Sequence, residues 1–158
     1  LNTVLFTRLD WRVASSWSWA TWAEYRNAGA QRFTIATRVS VTPGQSVTVS
    51  GQLRYRWGGR LGRAPLQQDL AAIFNLGARP IERLRVRLRL RYDFDDVWNN
   101  HRLPQTLWSY LDVGLTLRER DLLRCRYDAR VFLDERESTH TRVPNPEHWL
   151  WLEYVFRY

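Results

Sequence analysis

Apolar and charged residues alternate without interruption along residues 83–94, RLRVRLRLRYDF. One parity is apolar: Leu84, Val86, Leu88, Leu90, Tyr92 and Phe94. The other is charged: Arg83, Arg85, Arg87, Arg89, Arg91 and Asp93. A period of two places alternate side chains on opposite faces of a β-strand and does not fit a helix. We therefore predict a strand with two faces, an apolar face and an arginine face.

The same alternation recurs along the whole chain and predicts nine strands. They span residues 2–13, 17–26, 31–41, 46–57, 67–79, 83–94, 105–118, 122–134 and 147–158. The fifth has the weakest alternation, and a short helix over residues 65–76 is the alternative. Connections after the odd-numbered strands are short, whereas those after strands four, six and eight are long; only the link after strand two breaks this order.

Two all-β folds fit such strands. In a soluble sandwich the apolar face would look into a core, whereas in an antiparallel up-and-down transmembrane β-barrel it would face lipid and the arginine face would line the lumen. Strands of about ten residues, loop lengths sorted by side, and aromatic residues near strand ends favour the barrel. The predicted aromatic girdle comprises Trp11, Trp17, Trp19, Tyr55, Trp57, Tyr92 and Phe94.

Composition supports this choice and bears on the extent of the chain. Aromatic residues make up 14%, with nine Trp, which is more than a small soluble core needs. No apolar run is long enough for a transmembrane helix, and no secretory signal is visible. The chain lacks Met and opens in mid-pattern, so we expect residues 1–158 to be one barrel domain, or its C-terminal part with upstream strands missing. The single Cys125 cannot form an internal disulfide.

The end of the chain, WLEYVFRY, carries the most specific pattern. Tyr154, Phe156 and Tyr158 share one parity, and the last residue is aromatic. In this the chain resembles bacterial outer-membrane β-barrel proteins, whose last strand ends in this way. The resemblance implies an outer-membrane location, the lipid bilayer as surroundings, and recognition of Tyr154, Phe156 and Tyr158 by the barrel-assembly machinery.

All 24 basic residues are Arg, and most share the parity that would face a lumen. On the sixth strand, four stacked guanidinium groups without counterions would require water or an anionic ligand as a screen. The predicted anion path comprises Arg54, Arg56, Arg85, Arg87, Arg89, Arg91, Arg124, Arg126 and Arg130. A channel or export pore for anionic solutes or polysaccharide is one hypothesis, and barrels that export alginate are similar in being lined with arginine. A structural or assembly-partner barrel closed by Arg–Asp/Glu pairs is the alternative.

Other functional classes have weaker support. An outer-membrane protease or phospholipase could use His101 with Asp95 and Asp96, or His140 and His148 with Glu147, all predicted in external loops. No spacing indicates a catalytic Ser–His pair or a metal site, and we expect no cofactor. Nucleic-acid binding is disfavoured because the arginines would have to face outward. The sequence leaves the oligomeric state open.

Overall fold

The computed structural model describes residues 3–27, 30–59, 67–94, 97, 105–117, 121–133 and 146–156. It contains nine strands and, within these ranges, no helix. The strands are β1 (Thr3–Ala14), β2 (Trp17–Asn27), β3 (Gln31–Gly44), β4 (Val47–Gly59), β5 (Gln67–Ile81), β6 (Leu84–Phe94), β7 (Thr106–Thr116), β8 (Leu122–Phe132) and β9 (Glu147–Val155). Within the described residues, no helix is long and apolar enough to span a membrane.

The strands form one antiparallel sheet in sequence order, so every strand pairs with its neighbours along the chain. The prediction of an all-β up-and-down sheet is therefore confirmed, and the helical alternative at the fifth strand is wrong over the described residues. Every ladder is regular except near three short turns, where β-bulges follow Arg12, Val41 and Ala78. Because the ladders keep register, each alternating pattern continues across the sheet and the two faces stay separate.

The strands are staggered with respect to one another. Trp11, Trp19, Val39, Gly51 and Phe74 are successive partners in one row across β1 to β5. Trp11 lies three residues before the end of β1, whereas Phe74 lies seven residues before the end of β5. The difference of four residues, at roughly 3.3 Å per residue, shifts this row by about 13 Å relative to the strand ends between β1 and β5. Closing a sheet into a barrel requires a stagger of this kind.

The sheet is curved but not closed. Residues of β4 and β9 line the same cavity on the arginine face, so that face is concave. Within the described residues β1 and β9 make no contact with each other. Since all pairs are antiparallel, β1 and β9 run in the same direction, and they could not pair with each other in an antiparallel way.

Burial is the reverse of that in a soluble domain. Of the described residues, the buried hydrophobic ones are Ala20, Ala36, Ala71, Ile73 and Ala129. The largest fully buried side chain is the carboxylate of Asp112. By contrast, Leu53 on the central strand β4 is 55% exposed and Phe74 on β5 is 40% exposed. The apolar face therefore has no protein partner within the described part of the chain.

Candidate anion site on the arginine face

A cavity of about 870 Å³ occupies the concave arginine face between β4 and β9. Three rows of cross-strand partners supply its walls. One runs Thr48, Gly77, Arg87, Asp112, Arg126, Trp151; the next runs Ser50, Asn75, Arg89, Tyr110, Asp128, Trp149; the third includes Arg91, Trp108 and Arg130. Polar residues thus line the β4–β5 wall, arginines line β6, and aromatic residues with arginines line β7 to β9.

Arg87 and Arg89 lie in the middle of this cavity. Arg87 stands between Gly77 and Asp112 in the ladders, and Arg89 stands between Asn75 and Tyr110. Neither guanidinium forms an ion pair within 4.0 Å to a carboxylate of the described residues, even though Asp112 is the cross-strand partner of Arg87. They are therefore the cationic groups that remain open to an anion entering the cavity.

The remaining predicted path residues are mostly neutralised. Ion pairs join Arg54 to Asp93 (3.8 Å), Arg56 to Asp69 (2.6 Å), Arg91 to Asp93 (2.7 Å), Arg124 to Asp112 (2.5 Å), Arg126 to Asp128 (3.0 Å) and Arg130 to Glu147 (3.8 Å). Arg85 forms no ion pair with the described carboxylates but interacts with Asp112 through space. The expectation of four guanidinium groups without counterions is therefore wrong for Arg91, whereas Arg85, Arg87 and Arg89 form no ion pair with the described carboxylates; of these three, Arg87 and Arg89 line the cavity.

Small residues on β5 explain how charges two strands apart can meet. Ala71 separates Arg54 from Asp93 in the ladders, and its side chain is too short to fill the space between them. The long guanidinium of Arg54 can therefore reach over β5 to the carboxylate that also binds Arg91. The sequence period assigns these residues to one face but does not indicate which of them pair.

Aromatic rings hold two of the arginines on β8. The Arg126 guanidinium lies 4.6 Å from the Tyr110 ring centre and 5.1 Å from that of Trp151. The Arg130 guanidinium lies 4.4 Å from both Trp108 and Phe132. Cation–π contacts of this kind, together with ion pairs, fix both side chains against the wall. Arg126 and Arg130 are thus more restrained than Arg87 and Arg89.

The aromatic residues of the cavity are functional candidates that were not predicted from the sequence. Trp108, Tyr110, Trp149 and Trp151 all line it, and the alternation of β7 and β9 already places them on the arginine face. Their parity in the sequence was the signal from which a place in the cavity could have been predicted. The predicted start of the ninth strand at residue 147 is confirmed, so the placement of Glu147 and His148 in an external loop is wrong: in β9, Glu147 shares the arginine face with Arg130 and His148 lies on the apolar face.

The predicted girdle residues lie near strand ends on the apolar face. At the end with the short turns, Trp11 and Trp19 stack with ring centres 6.4 Å apart, near Trp17. At the other end, Trp57 contacts Phe33 at 4.2 Å and Tyr55 at 5.4 Å. Tyr92 and Phe94 close β6 at this same end. Tyr154 and Phe156 contact each other at 5.5 Å, and Tyr158 lies outside the described residues.

Polar groups on the apolar face find partners within that face. Trp19 Nε1 donates to Thr37 Oγ1 at 2.6 Å, and the Tyr92 hydroxyl donates to Gln105 Oε1 at 2.6 Å. The Tyr55 hydroxyl donates to Gln68, and Tyr154 donates to Asp121 at 3.1 Å. Such pairing removes the need for water at these positions.

The histidines do not form a catalytic or metal-binding cluster that the structure describes. His148 Nδ1 lies 2.6 Å from the Tyr127 hydroxyl, and the two rings stack 5.8 Å apart. His101 and His140, with Asp95 and Asp96, fall outside the described residues. Within the described ranges, no three His, Cys, Asp or Glu residues come together in a way that could hold a metal ion.

In comparisons with known proteins, no family model and no curated protein matches this chain.

Proposed function

We propose that the sheet is part of a transmembrane β-barrel of the bacterial outer membrane, and that its arginine face lines a water-filled passage for anions, including anionic polysaccharide. The observation that carries the proposal is the exposure of the apolar face. Leu53 at 55% and Phe74 at 40% exposure lie in the middle of the sheet, where edge effects do not operate. Soluble proteins rarely expose a contiguous apolar surface of this extent, whereas a lipid-facing barrel surface requires one.

The distribution of rings supports the membrane orientation. Trp11, Trp19 and Tyr154 lie toward one end of the apolar face, whereas Tyr55 and Trp57 lie toward the other. Tyr and Trp concentrate at the two membrane interfaces because they have an apolar body and a polar edge. The Trp19–Thr37 and Tyr92–Gln105 hydrogen bonds also suit lipid, where no water satisfies such groups.

Closure of the barrel is also part of the proposal. β1 and β9 run in the same direction, so an antiparallel barrel needs an odd number of further strands between them, from whichever polypeptide supplies them. The exposed Leu5 and Leu152 on these edge strands continue the apolar surface toward that gap. The barrel-assembly machinery would recognise Tyr154, Phe156 and Tyr158 on the last strand, as the resemblance implies.

Passage of anions follows from the charge of the cavity. Arg87 and Arg89 have no carboxylate partner among the described residues, and the cavity around them has a volume of about 870 Å³. A low-dielectric wall with uncompensated positive charge concentrates anions and excludes cations. Rings of Arg or Lys select for anions in pores in this way.

The ion pairs favour a second candidate, a closed structural barrel. Arg54, Arg56, Arg91, Arg126 and Arg130 each have an acidic partner, as a packed interior would require. This interpretation leaves Arg87 and Arg89 unexplained, because a packed interior would have to bury their charge without compensation. The open cavity therefore favours the anion passage.

Two measurements test the proposal in sequence. Refolded protein mixed with liposomes should float with them in a density gradient, and protein that stays at the bottom would contradict the membrane assignment. Protein inserted in planar bilayers under a KCl gradient should then show a reversal potential of the sign for chloride permeation. The variant Arg87→Gln with Arg89→Gln should lose most of that selectivity, whereas Arg32→Gln, on the arginine face but outside the cavity, should keep it. Absence of conductance, or cation preference, would favour the closed barrel.

A further inference from the structure

The aromatic wall of the cavity is not explained by the passage of small anions. A hydrated inorganic anion requires positive charge and water, and rings beside its path would only reduce the polar surface. Yet Trp108, Tyr110, Trp149 and Trp151 occupy the β7–β9 side of the cavity. Trp149 and Trp151 are 38% and 47% exposed on this face. Exposed indoles in a water-filled space indicate a ligand with its own flat apolar surface.

The four rings differ in whether a guanidinium group already lies on them. Arg130 covers Trp108, while Arg126 lies between Tyr110 and Trp151. Trp149, by contrast, stacks on no ring and holds no guanidinium among the described residues. Its ring face is available to a ligand.

The two indoles and the two free guanidinium groups form matched pairs across the cavity. Trp151 is in the row of Arg87, and Trp149 is in the row of Arg89, three strands away in each case. The two indoles are two residues apart on β9, and the two arginines are two residues apart on β6, which is roughly 7 Å along the strand in each case. Both pairs follow the strand direction, which is the direction of transport in a barrel. An elongated ligand lying along the strands would meet rings on one side and positive charge on the other.

We infer that the cavity binds an acidic saccharide of the uronate type, with a pyranose face on Trp149 and carboxylates at Arg87 and Arg89. This inference rests on the proposed passage and names its substrate class. Uronate residues have an apolar ring face, a carboxylate and several hydroxyl groups. Thr48, Ser50 and Asn75 on the opposite wall provide hydrogen-bonding groups for those hydroxyls. Guanidinium groups bind carboxylates through paired N–H donors, which a simple point charge does not provide.

An oligonucleotide also combines flat rings with anionic groups, but it fits the cavity less well. Single-stranded nucleic acids bind to successive stacking platforms along a continuous basic groove. Here Trp149 is the described cavity ring without a guanidinium, and the basic residues of β8 are already held by Asp128 and Glu147. One open ring beside two open arginines suits a short acidic sugar segment better.

The experiment measures equilibrium binding by calorimetry with the intact protein in detergent micelles, which requires no conduction. The probes are tetragalacturonate, neutral maltotetraose and tetrathymidylate. Tetragalacturonate should bind, and the other two should bind at least tenfold more weakly. The change Trp149→Ala should weaken tetragalacturonate binding tenfold or more, Trp149→Phe should restore most of it, and Leu150→Ala on the apolar face of the same strand should leave it unchanged. Heat-dependent gel mobility of each variant verifies the fold.

Conductance separates the two proposals. If the wild-type protein is anion-selective but does not bind tetragalacturonate, the saccharide inference is overturned and the anion passage stands. Equal binding of maltotetraose, tighter binding of tetrathymidylate, or full binding by Trp149→Ala would also overturn the inference. If tetragalacturonate binds in a Trp149-dependent manner but the protein does not conduct anions, the saccharide site stands and the passage fails.

Discussion

Arg124 and Asp112 form an ion pair on adjacent strands in which Arg124 Nη2 lies 2.5 Å from Asp112 Oδ2 and the Asp112 side chain is fully buried. Tyr110 donates a second hydrogen bond to the same carboxylate oxygen at 3.1 Å. Gly114 lies between Arg85 and Arg124 in the ladders, so no side chain separates these two arginines from the carboxylate. This pair therefore links the walls of β7 and β8 on the arginine face.

The first prediction concerns this pair. The change Asp112→Asn removes the charge that Arg124 contacts and leaves Glu153, at 3.4 Å and 54% exposed, as its carboxylate partner. We expect a loss of about 2 kcal/mol in unfolding free energy, because the buried group loses its charge-assisted hydrogen bonds to Arg124 and Tyr110, while Arg124, 31% exposed, keeps Glu153 and solvent. Urea unfolding followed by tryptophan fluorescence measures it.

The control for the first prediction is Asp10→Asn. Asp10 pairs with Arg8 at 2.6 Å, but both side chains are more than half exposed. Solvent screens exposed pairs, so this change should have little effect. Equal losses for Asp112→Asn and Asp10→Asn would contradict the structural role of the Arg124–Asp112 pair.

A second prediction compares neighbouring residues on opposite faces of β6. The change Leu88→Arg should cost about 2–4 kcal/mol if Leu88 faces the lipid near the bilayer midplane. The change Arg89→Gln should be tolerated, because Arg89 faces the cavity and has no carboxylate partner among the described residues. Reversible unfolding in lipid vesicles gives both values, and equal damage would contradict the assignment of the faces.

Much of the fold was predictable from the sequence, because the side-chain period of a strand is two and each strand repeats it. The same pattern identified β5 as a strand despite its many small residues. The extents of strands were less predictable: β5 continues to Ile81 through Pro80, beyond the predicted end at residue 79. Pro80 is tolerated there because the bulge after Ala78 interrupts the ladder.

The candidate site was predictable as a face and not as a set of contacts. Period two assigned Arg54, Arg91 and Asp93 to the arginine face, but their pairing depends on which strands adjoin and on the small side chain of Ala71 between them. The strand start at Glu147 was predicted correctly, but its pairing with Arg130 on β8 was not. Register and side-chain reach decide such contacts, and neither follows from periodicity.

A third prediction uses two glycines of β4. A Cβ on Gly58 would collide with the backbone of Gln31 and come within 2.8 Å of Arg32 Cα. The change Gly58→Ala should therefore separate the ends of β3 and β4 and cost about 1–3 kcal/mol, as overpacking does. The change Gly51→Ala is the matched control, since a Cβ there meets nothing within 4 Å. It should be neutral or slightly stabilising, and a loss at Gly51 equal to that at Gly58 would contradict this explanation.

A fourth prediction concerns assembly. Deleting Tyr158 should lower the outer-membrane level of the protein, because the terminal aromatic residue belongs to the proposed assembly signal with Tyr154 and Phe156. Immunoblots of fractionated cells measure this level. Replacing Trp151 with Ala changes an aromatic residue on the other face of β9 and should leave the level unchanged. Normal outer-membrane levels after the deletion would remove Tyr158 from the signal.

The last prediction is the salt dependence of anion selectivity. If Arg87 and Arg89 act on passing anions through their electric field, selectivity should fall as salt rises, since the Debye length shrinks from about 10 Å at 0.1 M to about 3 Å at 1 M. Arg126 and Arg130 should contribute less, because Asp128 and Glu147 lie within 4 Å of them and cancel most of their distant field. Reversal potentials at several KCl concentrations should therefore show a steep salt dependence in the wild type.

The variant Arg87→Gln with Arg89→Gln should lose this dependence, whereas Arg126→Gln with Asp128→Asn, which removes a neutral pair, should retain it. A dependence of equal size in both variants would mean that the field arises from the whole arginine face and not from Arg87 and Arg89.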